Sequence, residues 1–354
     1  MVFAPFVEEY VSALTEGDPR FVSEIDPADE MFSFGLRSLG GNRDAAAILY
    51  FLTGRQIADT VLAARRWRFE NREPGTLLDF ASGYGRSTRF LARAVAAGSL
   101  FVSEIDPAAV AFQISRFGVT GLASCRAAAE FDPGRRFDAI SAASFFSHVP
   151  AARFEEWLRR LYGLLSPGGL LVFSTHGAAL LPEDADWSSG MVYRGKSETD
   201  RLDPSDYGTS YVLPEFVEAV AARVSEGNAA LHFVPFGLCG HQDVFVLARP
   251  PYLPAWPPSI PRFPRGEVSG SQIRDGKRLS IDGWVEADRE SLVTFLIENR
   301  ALAVSRPQNG ETRRAWSFDL PIQDISRDAV LRVEARTRSG AVRILAMGTL
   351  RPYL

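Results

Sequence analysis

Apolar and polar positions change rhythm twice along the chain. From Asp44 to Trp67, apolar residues recur every three or four positions, through Ile48, Phe51, Leu52, Ile57, Val61 and Leu62, behind Asp44 as a cap. That spacing predicts one long amphipathic helix. A shorter piece, PFVEEYVSALTEG, precedes it and ends at Gly17-Asp18-Pro19. Gly54 interrupts the long helix. Glycine there costs about 1 kcal/mol relative to alanine, so either a kink or the close approach of a backbone or ligand is expected.

After residue 74 the rhythm becomes short apolar runs alternating with amphipathic stretches, the pattern of a βαβ sheet. Strands are expected over 76–80, 100–105, 137–142, 170–174, 230–236 and 244–247, and helices over 86–97, 107–117 and 151–165. Only a short glycine-containing turn separates the last two strands, too little for a crossover helix, so they should be antiparallel. The proline-dense run RPPYLPAWPPSIPRFPRG then reads as an extended linker. Beyond it, segments such as KRLSIDGWVEAD, SLVTFLIEN and AVLRVEARTRSG alternate apolar and polar residues, as in a small β-sandwich. The expected fold is therefore α/β, a doubly wound, mostly parallel sheet with an antiparallel last strand, plus N-terminal helices and a C-terminal all-β sandwich. The expected divisions are 1–72 (helical segment), 73–250 (α/β domain), 251–264 (linker) and 265–354 (β-sandwich). The octapeptide FVSEIDPA occurs at Phe21 and again at Phe101 in unrelated surroundings, so its two copies are expected to fold differently.

Composition narrows the function. With 354 residues, 46% of them hydrophobic, the chain can bury more than one core. A net charge of -4 with scattered basic residues gives no footprint for nucleic acid. Cys125 and Cys239 lie far apart without CxxC spacing, which supports neither a disulfide framework nor a zinc site. The N-terminus has no leader pattern and no run of about 18 apolar residues occurs, so a cytoplasmic protein without a membrane span is expected.

The strongest chemical signal is Leu77-Leu78-Asp79-Phe80-Ala81-Ser82-Gly83-Tyr84-Gly85-Arg86, an apolar strand running through a glycine-rich turn into a helix. Gly83 and Gly85 lack a Cβ and let backbone approach a ligand. The dinucleotide pattern GxGxxG is not completed, because Thr88 stands where the third glycine belongs. Asp79-x-Ala81-x-Gly83-x-Gly85 resembles the first motif of class I S-adenosylmethionine-dependent methyltransferases, with alanine in the first glycine position. Three further stretches extend the resemblance in order: Phe101 to Asp106, an apolar strand ending in acid; Phe137-Asp138-Ala139-Ile140 with the loop Ser144-Phe145-Phe146-Ser147-His148; and Leu165-Ser166-Pro167-Gly168-Gly169 leading into Leu170-Leu171-Val172-Phe173. YFLTGRQIA, from Tyr50 to Ala58, and DYGTSY, from Asp206 to Tyr211, resemble segments of a bacterial subgroup.

The resemblance implies S-adenosyl-L-methionine as cofactor. Asp79 would sit near the methionyl amino group or tie down loop amides, and Ala81, Gly83, Gly85 and Ser144 would line the cofactor. Asp106 would take the ribose hydroxyls, cap its helix, or both. Arg126 to Glu130 offers alanine where relatives place an adenine-binding acid, so backbone near Ala128 and Ala129 would hold adenine. Tyr50 and Gly54 would cover the cofactor.

Histidine is the natural base near neutral pH. His148, His176 and His241 fall at the sheet edge where α/β proteins bind ligands, whereas His232 lies within a strand. No histidine pair has metal-ligand spacing. The insertion from Gly177 to Gly227, with Trp187, Tyr193, Tyr207 and Tyr211, is either a substrate lid or a local core. The chain lacks the Asn/Asp-Pro-Pro-Tyr/Phe signature of amide-nitrogen methylation and the Pro-Cys of cytosine chemistry. A sugar or glycan hydroxyl, or another small molecule, is the expected acceptor, by analogy between Ile281-Asp282-Gly283-Trp284-Val285 and accessory domains of glycan-modifying enzymes. Two alternatives stand beside it: a catalytically silent scaffold of the same fold, and a nicotinamide-dependent oxidoreductase, which Thr88 and the antiparallel last strands disfavour.

Overall fold

A computed structural model describes residues 2–69, 75–181, 185–196, 203–251, 260–286, 290–307 and 313–350. The expected boundary at 72/73, residues 252–259 of the linker, and parts of the expected lid (182–184 and 197–202) lie outside the described residues. The chain forms two compact units, one of residues 1–18, 32–52 and 262–354, the other of 19–31 and 53–261.

The helices α1 (Pro5–Leu14), α2 (Glu30–Ser38) and α3 (Arg43–Phe69) come first. The α/β part follows as β1 (Leu77–Phe80), α4 (Thr88–Ala94), β2 (Leu100–Glu104), α5 (Pro107–Phe117), β3 (Thr120–Ala123), β4 (Phe137–Ala142), α6 (Ala151–Gly163) and β5 (Leu165–Thr175). A small hairpin of β6 (Met191–Arg194) and β7 (Thr209–Val212), α7 (Pro214–Ser225), β8 (Ala230–Leu238) and β9 (Gln242–Ala248) complete it. The seven-stranded sheet runs β3-β2-β1-β4-β5-β9-β8, with β9 antiparallel to both neighbours. Strand order reverses between β1 and β4, where an open α/β sheet makes its ligand crevice.

Local sequence explains these elements. All four residues of β1 are buried, as a central parallel strand covered on both faces requires. Pro107 opens α5, the Asp106 side chain accepts from the Ala108 N–H at its cap, and Gly118 ends it in the left-handed region. On α6, Phe154, Trp157, Leu158 and Leu161 form the face that enters the core with Phe80, Phe146 and Phe173. Gly54 lies where a Cβ would run into the Arg86 carbonyl oxygen, so of the alternatives raised by sequence the close approach of another backbone is the one found.

The insertion differs from a structureless loop. It holds the β6–β7 hairpin and α7, whose Val217, Val220 and Ala221 join the same core. The two FVSEIDPA copies share one local feature: Asp26 accepts from the Ala28 N–H at 2.8 Å, and Asp106 from Ala108 at 2.9 Å. This turn is written in adjacent residues. Upstream, partners decide. Residues of the second copy pair in β2, whereas in the first the Val22 and Glu24 carbonyls accept from buried Arg89.

In the other unit, β10 (Arg265–Arg274), β11 (Arg278–Glu286) and β14 (Arg313–Pro321) form one antiparallel sheet. The second sheet comprises β12 (Leu292–Ile297), β13 (Arg300–Ser305), β15 (Leu331–Arg336) and β16 (Val342–Gly348). Val285, Phe295, Trp316, Phe318 and Val333 fill the core they share. Helix α1 belongs to this unit, with Tyr10 lying beneath the buried Arg332 guanidinium. Among the described residues, no helix is long and apolar enough to cross a membrane.

Candidate active site

A cavity of about 620 Å³ opens at the carboxyl ends of β1, β2 and β4. Parallel pairing sets Phe80 opposite Ser103, which brings the ends of β1 and β2 level. The Gly83 N–H then donates to the Glu104 carboxylate at 2.8 Å, and the Ile105 N–H donates to the other Glu104 oxygen at 2.7 Å. Burial pushes the Glu104 carboxyl above the ordinary carboxylate range, against the pull of these N–H donors.

Asp79, which is buried, is the second acid on this wall. It accepts from the Thr88 hydroxyl at 2.8 Å and the Ser87 hydroxyl at 3.2 Å, both at the start of α4. Burial nonetheless raises its pKa to about 6. Gly83 takes φ +56° with open space where a Cβ would stand, and it lines the cavity. Ala81 also lines it and takes φ +54°, so alanine holds the left-handed turn that the first glycine of such a motif normally supplies. Fully buried Gln113 braces the turn, donating to the Ser82 hydroxyl and the Gly83 carbonyl at 2.8 Å each.

The structure separates the remaining sequence candidates. Gly85 does not border the cavity: its missing Cβ makes room for Gln113 and Phe117. Ala128 is buried in the core and Ala129 follows it in a short 3-10 turn, so neither reaches the wall, which Ser124, Cys125 and Arg126 form instead. Tyr50 belongs to the other unit, where it packs edge-on against Phe32 and Phe51, and Gly54 serves the helix contact described above. Helix α3 reaches the cavity through Ile57. Asp106 does line it, with one oxygen on the Ala108 N–H and the other 3.1 Å from the Tyr84 hydroxyl. Sequence reading passed over Glu104, two residues earlier. Pro107 was the available signal, because an acid just before a helix-opening proline is a cap.

The opposite wall follows β4. Ser144 takes φ +61°, donates its N–H to the Ser174 hydroxyl at 2.8 Å, and accepts on its carbonyl from Ser147 at 2.6 Å. Gln242 gathers the Ser144 and Ser174 hydroxyls on one oxygen at 3.2 and 2.7 Å. Of the three candidate histidines, only His148 lines the cavity. Its Nδ1 lies 2.7 Å from the Gly208 carbonyl. A carbonyl only accepts, so Nδ1 carries the proton and Nε2 is the basic nitrogen of the neutral ring. His176 is buried behind it, 6.0 Å between ring centres, with Nε2 beside Gln242 and its pKa lowered to about 4 by burial and then by His148 and His241. His241 is exposed, 5.8 Å from the His176 ring. From the insertion, Tyr207, Asp203 and Asp206 reach the wall, Asp206 paired with Arg153 at 3.1 Å. Trp187, Tyr193 and Tyr211 do not; the Tyr193 hydroxyl donates to the Pro204 carbonyl and Tyr211 lies beside His176. Among the described residues, no group of histidine, cysteine and acidic side chains is arranged to hold a metal ion.

Residues 51–202 match the family model of a methyltransferase domain. No curated protein matches the chain by sequence. Solved structures similar to it include DesVI from Streptomyces venezuelae, at 18% identity over 64% of this chain and 100% of that one, with a TM-score of 0.43. S-adenosylmethionine-bound CalS10, an amino pentose methyltransferase from Micromonospora echinaspora, shares 19% identity over 57% of this chain and 92% of its own, at 0.41. The N-methyltransferase NodS from Bradyrhizobium japonicum WM9 shares 17% identity over 55% and 87%, at 0.37. The strand order, the glycine turn flanked by the acids Asp79 and Glu104, and the family match over residues 51–202 together identify a class I S-adenosylmethionine-dependent methyltransferase domain in this chain.

Proposed function

We propose that the chain moves a methyl group from S-adenosylmethionine to a small, hydroxyl-rich acceptor, a sugar or glycan unit foremost, with His148 as general base. One observation carries the reading: a single cavity joins the wall of Asp79, Gly83 and Glu104 to a histidine whose basic nitrogen is defined by its own hydrogen bond.

The residues fit the cofactor. Gly83 leaves room where a side chain would stand, and Glu104, which accepts from the Gly83 and Ile105 N–H groups and more distantly, at 3.5 Å, from the Asp106 N–H, keeps acceptor capacity on its carboxylate for the ribose. Ile105, 38% exposed on the cavity wall, offers an apolar surface to adenine, with backbone from Ser124 to Arg126 at its edge. Asp79, whose proton burial holds tightly, gains from a cationic amino group nearby. S-adenosylmethionine supplies an already activated methyl on a sulfonium. The protein's share is alignment, exclusion of water and removal of the acceptor's proton. Arg153, Asp203 and Asp206 beside the Phe145 and Tyr207 rings match an acceptor with many hydroxyls and one apolar face.

Calorimetry with S-adenosylmethionine tests the cofactor assignment. The parent should bind, and Gly83→Val should lose at least about tenfold in affinity, since even 1.4 kcal/mol is tenfold. Glu104→Gln, which fills no space, should weaken binding in the same direction. A parent that does not bind the cofactor would overturn the proposal, and labelled methyl transfer to a panel of hydroxylated sugars tests the acceptor class.

A further inference from the structure

His148 sits on the loop that leaves β4, with neither a strand nor a helix of its own to hold its ring. The segment before β7 supplies what the loop lacks. The Gly208 N–H donates to the His148 carbonyl at 2.7 Å while His148 Nδ1 donates back to the Gly208 carbonyl at 2.7 Å, a reciprocal clasp between one residue of each segment. The Tyr207 ring stacks on the imidazole, 4.7 Å between centres and 16° from parallel. Neighbouring bonds fix both backbones: Ser210 N–H to the Ser147 carbonyl at 2.7 Å, and the buried Ser210 hydroxyl to the Val149 carbonyl at 2.6 Å. Gly208 has no space for a larger residue, because a Cβ would run into the Arg194 carbonyl and the Tyr193 hydroxyl.

We propose that Tyr207 and Gly208 are positioning residues of the methyl-transfer reaction, setting the tautomer and the ring plane of His148. This rests on the reading of His148 as the base. A base works only with its lone pair on the side of the acceptor. The Gly208 carbonyl keeps the proton on Nδ1, and the Tyr207 ring limits rotation of the imidazole about its bond to the backbone. The acceptor's proton then ends on Nε2, while the other ring proton stays on Nδ1, hydrogen-bonded to the Gly208 carbonyl throughout. The other titratable groups on this side include His176, edge-on behind the ring, with Asp203 and the Arg153–Asp206 pair on the cavity wall.

The test compares the full-length parent with Tyr207→Leu, Tyr207→Phe and His148→Ala. With isotope-labelled histidine and the rings neutral, nitrogen NMR should show His148 as the Nδ1–H tautomer in the parent and in Tyr207→Phe, and a mixture of tautomers in Tyr207→Leu. The rate of methyl transfer to the acceptor should fall about tenfold or more in Tyr207→Leu, since slight misplacement of a reacting group can cost up to about 100-fold. Affinity for S-adenosylmethionine should stay within about twofold, kcat should change more than KM, and Tyr207→Phe should restore most of the loss. If Tyr207→Leu keeps both the single tautomer and parental kcat while His148→Ala is inactive, the positioning inference falls and the base reading survives. If Tyr207→Phe is as impaired as Tyr207→Leu, the hydroxyl rather than the stacked ring matters, and the inference is overturned. Parental turnover in His148→Ala would remove the base reading itself.

Discussion

The two walls of the cavity are built by different means. On the β1–β2 side, strand ends and one turn suffice: Glu104 accepts from Gly83 across two paired strands, and Gln113 braces the turn from the next helix. On the β4 side, the groups come from distant stretches, His148 from one loop and Tyr207 from an insertion some sixty residues later. The first wall is a property of the fold. The second is an addition to it, and an insertion is where the acceptor's identity can change without disturbing the cofactor's seat.

The largest effects should therefore split cleanly between affinity and rate. Glu104→Ala should weaken S-adenosylmethionine binding by at least about tenfold, because hydrogen bonds to a charged group contribute roughly 1.5–3 kcal/mol each. Asp106→Ala should do less to binding and more to stability, losing the α5 cap at about 1 kcal/mol. His148→Ala should lose about 10²–10⁴-fold in turnover with cofactor affinity unchanged, while His176→Ala and His241→Ala stay well above it. Calorimetry and initial rates on the same set decide the matter. A larger loss of affinity in Asp106→Ala than in Glu104→Ala would return the ribose role to Asp106, and equal rates in all three histidine variants would leave alignment alone as the catalyst.

These particulars also show what a sequence can carry. The interval 107–117 was readable as a helix to the residue, because Asp106, Pro107 and Gly118 are local signals. Glu104, proposed above for the ribose, lies two positions before Asp106 and drew no attention for the same reason: the cap beside it carries the louder local signature. Helix α7 was legible in principle, from Pro214 and the spacing of Val217, Val220, Ala221 and Val224, but it sat inside an insertion that read as either a lid or a local core. The clasp between His148 and Gly208 has no local signature at all. It is a tertiary pairing across 60 positions, and nothing in DYGTSY says which loop it will meet.

The two walls should also respond oppositely to pH. The folded-state pKa of Asp79 is raised to about 6, so its cost is absent when it is protonated, develops as pH rises from about 4 to 6, and persists above. His176 is lowered to about 4, so its cost is absent above about pH 6.5 and develops as pH falls from there to about 4. In the parent, these slopes offset each other. Asp79→Asn should stabilise the protein at neutral pH by up to about 3 kcal/mol and unmask a steeper loss on acidification. His176→Phe should show the reverse slope, stability declining from about pH 4 to 6. Urea unfolding across this range is the measurement. An Asp79→Asn variant no more stable than the parent at neutral pH would mean that its carboxylate is not strained by burial.

The smallest effect compares two left-handed residues, one on each wall. Ala81 at φ +54° and Ser144 at φ +61° both hold a conformation that costs a residue with a Cβ about 1–2 kcal/mol. Glycine removes that cost but gains freedom in the unfolded chain, worth about 0.4–1 kcal/mol in the other direction. At Ala81 the side chain is a single methyl, and the turn is braced through the Ser82 hydroxyl and the Gly83 carbonyl by Gln113, so Ala81→Gly should be neutral to about 1 kcal/mol more stable with parental turnover. At Ser144 the hydroxyl also anchors to Gln242, whose oxygen accepts from Ser174 as well. Ser144→Gly therefore forfeits a hydrogen bond worth about 1 kcal/mol and should show no net gain. It should also slow turnover, because the freed backbone lies four residues before His148 on the same loop, while cofactor affinity holds. Thermal unfolding and initial rates on the pair separate the walls. Matching behaviour of the two glycine variants in both measurements would mean that the β4 wall, like the β1–β2 wall, is held by its backbone alone.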